Sequence, residues 1–261
     1  MSNFAQTFSS SLGKKLIMSL TGLFLCTFLV VHLIGNIQLF KDDGGQAFNA
    51  YSYFMTHFPP IKIISYLLYA SIIIHAVYAL VLTLSNKKAR PVAYASYNGQ
   101  ANSPWTSRNM GILGTILLIF IVVHMSNFWA QYHWGDLPYA KYEVSLSNPS
   151  DVVVTPIPFN ANVAEPAHAD YVQGDRQILV AKDLYKIVNE SFKQWWYVAL
   201  YVISMAAMSF HLIHGFRSAF QTLGWDNNKY IPLIRFLGVW VFGVLIPIGF
   251  AAMPLYFFFF K

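Results

Sequence analysis

The sequence predicts an all-α integral membrane protein: five transmembrane helices in a single membrane domain over residues 1–261. Two observations predict it. The chain is 56% hydrophobic and only 11% charged, whereas a water-soluble domain carries about 25% charged residues. The apolar residues also fall into five uncharged runs: Leu16–Phe40, Ile63–Asn86, Asn109–Gly135, Gln194–Phe216 and Phe236–Phe260. Each exceeds the roughly 20 residues that a helix needs to cross the hydrocarbon core.

Spans are accordingly expected at about 16–40, 61–86, 109–134, 194–222 and 233–259. Residues 1–13 form a polar leading segment. The first run is longer than the apolar core of a signal peptide and lacks a small-residue cleavage site, so it is expected to stay as a span. Gly44–Ile61 is uncharged but polar and ends in Pro59–Pro60, which reads as a loop. "NKKARPVAYASYNGQANSPWTSR" links spans two and three. Residues 131–193 form an insertion. Its centre, "SNPSDVVVTPIPFNANVAEPAHADYVQGD", has no sustained helical period and reads as irregular, or as a small cap. "AKDLYKIVNESFKQWW" reads as an amphipathic helix leading into span four, with Trp195 and Trp196 suited to the interfacial belt. "GWDNNKYIP" turns the chain into span five.

Charge sets the expected orientation. With the N-terminus inside, the inner segments hold Lys14, Lys15, Lys87, Lys88, Arg90, Arg108, Arg217, Lys229 and Arg235, and the short outer loop only Lys41 and Lys62. The insertion carries further cations, but long loops weigh little in the positive-inside rule. All the acids except Asp226 fall outside. The expected topology is N-terminus cytoplasmic, C-terminus outside. A net charge of +6 would suggest nucleic acid in a soluble protein; here the charge is sorted by side, so the expected partner is membrane lipid and no nucleic acid. The single cysteine, Cys26, excludes a disulfide within the chain and an iron–sulfur cluster. No glycine-rich phosphate loop and no Ser/His/Asp constellation is present, and no catalytic residue is assigned.

The histidines carry the chemistry. Of eight, His32, His75, His124, His211 and His214 lie in spans one to four. An ionisable group inside a membrane is costly and points to function. "FLVVHLIGN" around His32 returns as "FIVVHMSNF" around His124, and the same alignment pairs Gly22 with Gly114. At about 1.5 Å per helical residue, His32 lies roughly 26 Å from Lys15 and His124 roughly 24 Å from Arg108, both toward the outer side. His75, His211 and His214, on spans that run inward, lie toward the inner side. In an up-down-up-down bundle, spans one and three are diagonal, as are two and four. A diagonal pair of imidazoles can supply both axial ligands of one haem, whereas zinc wants three or four ligands at one point. Spans one to four are therefore expected to form a haem-binding four-helix bundle with two haems b. His32 and His124 hold the outer iron. His75 and either His211 or His214 hold the inner. Gly22 and Gly114 each lie ten residues before a histidine, where a missing side chain lets a macrocycle approach or two helices pack closely.

"SSSLGKKLIMSLTG", "VVHLIGNIQLF", "AFNAYSYFM" and "FHLIHGFRSAFQTLG" resemble the dihaem cytochrome b membrane-anchor subunit of succinate:quinone oxidoreductases, the succinate dehydrogenase and fumarate reductase (complex II) family. The resemblance covers spans one to four; residues around 145–180 match nothing in it. It implies two haems b, a flavoprotein subunit and an iron–sulfur subunit on the cytoplasmic face, and quinone, usually menaquinone, as the electron-exchanging substrate. It also implies the cytoplasmic (inner) membrane of a prokaryote and the tricarboxylic acid cycle. A higher oligomer is left open. The family's ligand positions carry over to His32, His75, His124 and, through the His–Gly step, His214, with His211 and Arg217 as secondary candidates. The chain alone, without flavin site or cluster ligands, is expected to be a non-catalytic electron-transfer subunit.

Two other classes compete with this reading. The dihaem cytochrome b of a membrane hydrogenase or formate dehydrogenase uses similar ligands but docks its partners outside. A haem-free transporter would show intramembrane carboxylates, and no span has one. The quinone site is not fixed by sequence; Asn36, Gln38, Tyr51 and His57 are outer candidates. Lys14, Lys15, Ser19 and Arg217 are inner groups for haem propionates or a partner.

Overall fold

The structure, a computed structural model, describes residues 10–89, 92, 98–160 and 168–261. Arg90, one of the inner-loop cations, and residues 161–167 of the insertion lie outside the described residues. Among these, five helices are long and apolar enough to cross a membrane: Ser11–Phe40, Pro59–Lys88, Met110–Trp134, Trp195–Thr222 and Ile231–Phe260. The helices overrun the apolar runs because backbone hydrogen bonding continues into the charged flanks, where Lys14, Lys15, Lys87 and Lys88 are helical. Ser10 caps span one, its hydroxyl accepting from the Gly13 N–H at 3.0 Å. Hydroxyls within the spans donate back one turn, as from Ser19 to the Lys15 carbonyl at 2.9 Å and from Thr115 to the Gly111 carbonyl at 2.8 Å. A hydroxyl facing hydrocarbon needs such an acceptor. Span three changes from α- to π-helix over Met125–Ala130, directly after His124.

Two expectations change. Gly44–Ile61 is not a loop: Gln46–His57 is helical. Gly44 and Gly45, at φ of +64° and +94°, turn the chain in a region that favours glycine. The Asp43 carboxylate then accepts from the Gly45 and Ala47 N–H groups at 2.9 and 3.0 Å. Pro59 does not end a loop but opens span two, since proline suits the first helical turn. Nor is the fold all-α. The insertion contains an antiparallel sheet of β1 (Tyr139–Ser145), β2 (Val152–Ile157), β3 (Ala169–Gln173) and β4 (Arg176–Lys182), in the order β2-β1-β4-β3. The central strands alternate, burying Ala140 and Tyr142 on β1 and Leu179 and Ala181 on β4. Gly174–Asp175 forms a two-residue hairpin turn between Gln173 and Arg176. The expected amphipathic helix is present as Leu184–Phe192.

The chain forms two compact units: Met1–Val31, Ser65–Phe120 and Tyr201–Ala251 in the first, and His32–Ile64, Ile121–Leu200 and Ala252–Lys261 in the second. In the first, spans four and five pack closely at Gly243, where a Cβ would lie 2.4 Å from Ile213. Ser209 donates to the Gly243 carbonyl, and Phe216 stacks on Phe242 with ring centres 4.7 Å apart. The second unit is organised by Asn49, 1% exposed. Its amide donates to the Tyr142 hydroxyl at 2.7 Å and to Asp183 at 3.0 Å, and its oxygen accepts from the Tyr185 N–H at 3.0 Å. One side chain thus ties the helix Gln46–His57 to β1 and to the capped start of Leu184–Phe192.

Candidate functional site

The intramembrane histidines meet in two pairs, one in each unit. In the second unit the rings of His32 and His124 lie with centres 5.7 Å apart, perpendicular to each other. The Asn36 amide, one turn beyond His32, donates to the His32 carbonyl at 2.8 Å and lies 3.3 Å from the ring Nδ1. Phe128 packs against His124, ring centres 5.4 Å apart.

In the first unit the rings of His75 and His211 lie with centres 6.5 Å apart, their planes inclined at 62°. A glycine stands beside each. A Cβ on Gly22 would lie 3.3 Å from His75 Cε1, and one on Gly114 would lie 3.6 Å from His211 Cε1. Of the two glycines singled out by the internal repeat, Gly22 on span one makes room for the His75 imidazole of span two, while Gly114 on span three adjoins His211 of span four at ordinary contact distance. Thr21 Oγ1 lies 3.1 Å from His75 Nδ1. His211 Nδ1 is buried without a hydrogen-bond partner.

His214, the expected fourth ligand, is not the ring that meets His75. Its Nε2 lies 3.2 Å from the Ser218 hydroxyl of its own helix. Residues three apart differ by about 300° around a helix, so His211 and His214 point differently. A Cβ on the neighbouring Gly215 would meet only the Met110 methyl, at 3.9 Å, so that glycine makes room for no imidazole. Gly114, the counterpart of Gly22 in the repeat, lies beside His211. Arg217 is exposed.

Both pairs suit a metal held from two sides. With metal–nitrogen distances of about 2 Å, two imidazoles on one ion have ring centres roughly 6 Å apart. Among the described residues no group of three or more His, Cys, Asp or Glu converges. A haem iron needs only two from the protein. Spans one to three have 11%, 6% and 6% of their most apolar stretch buried, against 44% for span four, and so present apolar surface to lipid or to a large flat ligand.

The outer candidates for quinone do not form one site. Tyr51 packs on Gly35, where a Cβ would lie 2.3 Å from its ring. Gln38 Oε1 is buried without a partner. His57 instead belongs to a cleft of about 400 Å³ lined by Tyr53, Phe54, His168, Asp170 and Leu179 among others. Tyr53 stacks on both imidazoles, with centres 3.9 Å from His57 and 3.3 Å from His168. Burial holds His168 below the usual histidine range. This cleft is not legible in consecutive residues, because β3 and β4 bring His168, Asp170 and Leu179 to it. Deeper in the unit, burial raises the Tyr142 phenol and the Asp183 carboxyl.

The fold and site define a multi-span membrane protein with two intramembrane histidine pairs. No family model, no curated protein and no solved structure matches this chain.

Proposed function

We propose that this chain is the dihaem cytochrome b anchor of a succinate:quinone oxidoreductase, passing electrons between a quinone and a cytoplasmic flavoprotein and iron–sulfur pair that acts on succinate or fumarate. The observation that carries the haem reading is the pairing of His32 with His124 and of His75 with His211. Each pair sits at a separation that suits one iron between two imidazoles, and the four histidines come one from each of spans one to four. The residue motifs resembling the complex II anchors carry the choice of partner subunits.

On this reading His32 and His124 hold the outer haem, and His75 and His211 the inner. His214 is a neighbour of the site. Each haem b, when bound, supplies a one-electron carrier. The protein's part would be to fix both imidazoles of each pair, with Gly22 beside His75 and Gly114 beside His211, and to keep water out with the apolar faces of the spans. Oxidation of one quinol releases two electrons and two protons. Fumarate takes up two of each to give succinate, and the reverse holds for succinate oxidation. The sorted charges favour a cytoplasmic N-terminus, and the resemblance to the complex II anchors implies a prokaryotic inner membrane, partners on the cytoplasmic face and menaquinone as the quinone.

Purification of the intact complex from its native membrane tests the proposal. A pyridine haemochrome assay is expected to give two haems b per chain, with a flavoprotein and an iron–sulfur protein co-purifying. One haem or none, or a hydrogenase or formate dehydrogenase subunit in their place, would overturn it. A cysteine introduced at Ser147, exposed between β1 and β2, should react with an impermeant reagent in intact cells; labelling only after lysis would reverse the topology.

A further inference from the structure

We propose that Thr21 is a positioning residue for His75: its hydroxyl oxygen accepts the Nδ1–H of that imidazole and leaves Nε2 unprotonated to bind metal. The inference rests on the haem reading above and adds a residue to it.

The hydroxyl of Thr21 has one hydrogen, and that hydrogen is engaged. Oγ1 lies 2.8 Å from the Ile17 carbonyl and 3.2 Å from the Met18 carbonyl, both acceptors only. Oγ1 can therefore meet His75 Nδ1, 3.1 Å away, only as an acceptor, which puts the proton on Nδ1. A neutral imidazole has one N–H, so Nε2 carries the free lone pair. Gly22 adds the second constraint: it follows Thr21 in the chain, and its missing side chain lets the His75 ring lie against span one. One turn of span one thus fixes both the place and the tautomer of a side chain on span two.

His211 has no such support, since its Nδ1 is buried without a partner. The inner pair is therefore asymmetric. Donation from Nδ1 to an acceptor raises the basicity of the ligating nitrogen and stabilises the ferric state. Removing the acceptor should make the iron easier to reduce.

The test uses the intact complex with Thr21→Val, which keeps the shape and removes the oxygen, and Thr21→Ser, which keeps the oxygen. Both haems are followed by visible absorption during a potentiometric titration. Thr21→Val is expected to raise the midpoint potential of one haem and leave the other unchanged, while Thr21→Ser titrates as the wild type. Loss of one haem in Thr21→Val with both kept in Thr21→Ser also supports the role. Unmoved potentials in Thr21→Val, an equal shift of both haems, or the same loss in both variants would overturn it. A wild-type complex without haem b would instead overturn the proposed function, before either variant is made.

Discussion

The two histidine pairs differ in how the chain builds them. In the second unit, His32 is the one histidine of its span, His124 shares span three only with His133 nine residues further on, and the two come from the repeated string. In the first unit, His75 faces a helix that carries two histidines, and rotation about that helix decides which one it meets. The support differs as well. The first-unit pair has glycines beside both rings and a hydroxyl on one of them. The second-unit pair has the Asn36 amide, the Phe128 ring and a π-helical turn directly after His124. A ligand position can therefore be read from sequence where no second histidine lies within a turn of it. Where two lie a turn apart, rotation of the helix decides between them.

The strongest way to break the comparison is to remove ligands. His32→Ala, His124→Ala, His75→Ala and His211→Ala should each halve the haem content measured by pyridine haemochrome, and His214→Ala should leave it whole. Loss in His214→Ala with retention in His211→Ala would restore the sequence-based assignment.

Filling the glycines sharpens the contrast between the pairs. Gly22→Leu and Gly114→Leu should each remove one haem and spare the other in the visible spectrum, because only the His75–His211 pair lies beside them. Gly215→Ala, which meets little, should retain both. Loss of both haems in Gly22→Leu would show that the glycine supports the whole bundle.

Asn49→Ala addresses the second unit. It strands the Tyr142 hydroxyl and the Tyr185 N–H and leaves the Asp183 carboxylate with the Lys186 N–H alone, and a buried group left without its partner costs about 1–3 kcal/mol. With partial relaxation, the variant should lose about 2–4 kcal/mol, measured as a lower midpoint in thermal unfolding of the detergent-solubilised complex. The His75–His211 spectrum should be unaffected at temperatures below that transition.

The smallest effect concerns pH. Burial raises the Asp183 carboxyl above its ordinary range, against the lowering effect of its bonds from Asn49 and Lys186. The folded chain then holds this proton more tightly than the unfolded one. The contribution to stability is largest below the ordinary carboxylate pKa and declines as pH rises toward the raised folded value. Asp183→Asn keeps the accepting oxygen and cannot ionise, so the decline in unfolding midpoint across that window should flatten. An unchanged slope would show that Asp183 is not the group responsible.

The five spans were legible because a segment in hydrocarbon must satisfy its own backbone and offer an apolar surface, and both demands are written in consecutive residues. The four-helix distribution of histidines was legible for the same reason: a polar side chain stands out against such a run. The helix Gln46–His57 was not, since its start depends on the Asp43 cap and two left-handed glycines rather than on an apolar period. Nor was the sheet, whose edge strands are largely exposed and whose central strands gain their burial from partners distant in the chain. The cleft at His57 and His168 joins residues that only strand pairing brings together. By itself the sequence determined a five-span membrane chain with histidines in two sets, because burial in lipid is a local property. Tertiary structure alone decided that His211 meets His75 and that Asn49 ties the insertion together. Both depend on helix rotation and on long-range contacts, which no stretch of consecutive residues specifies.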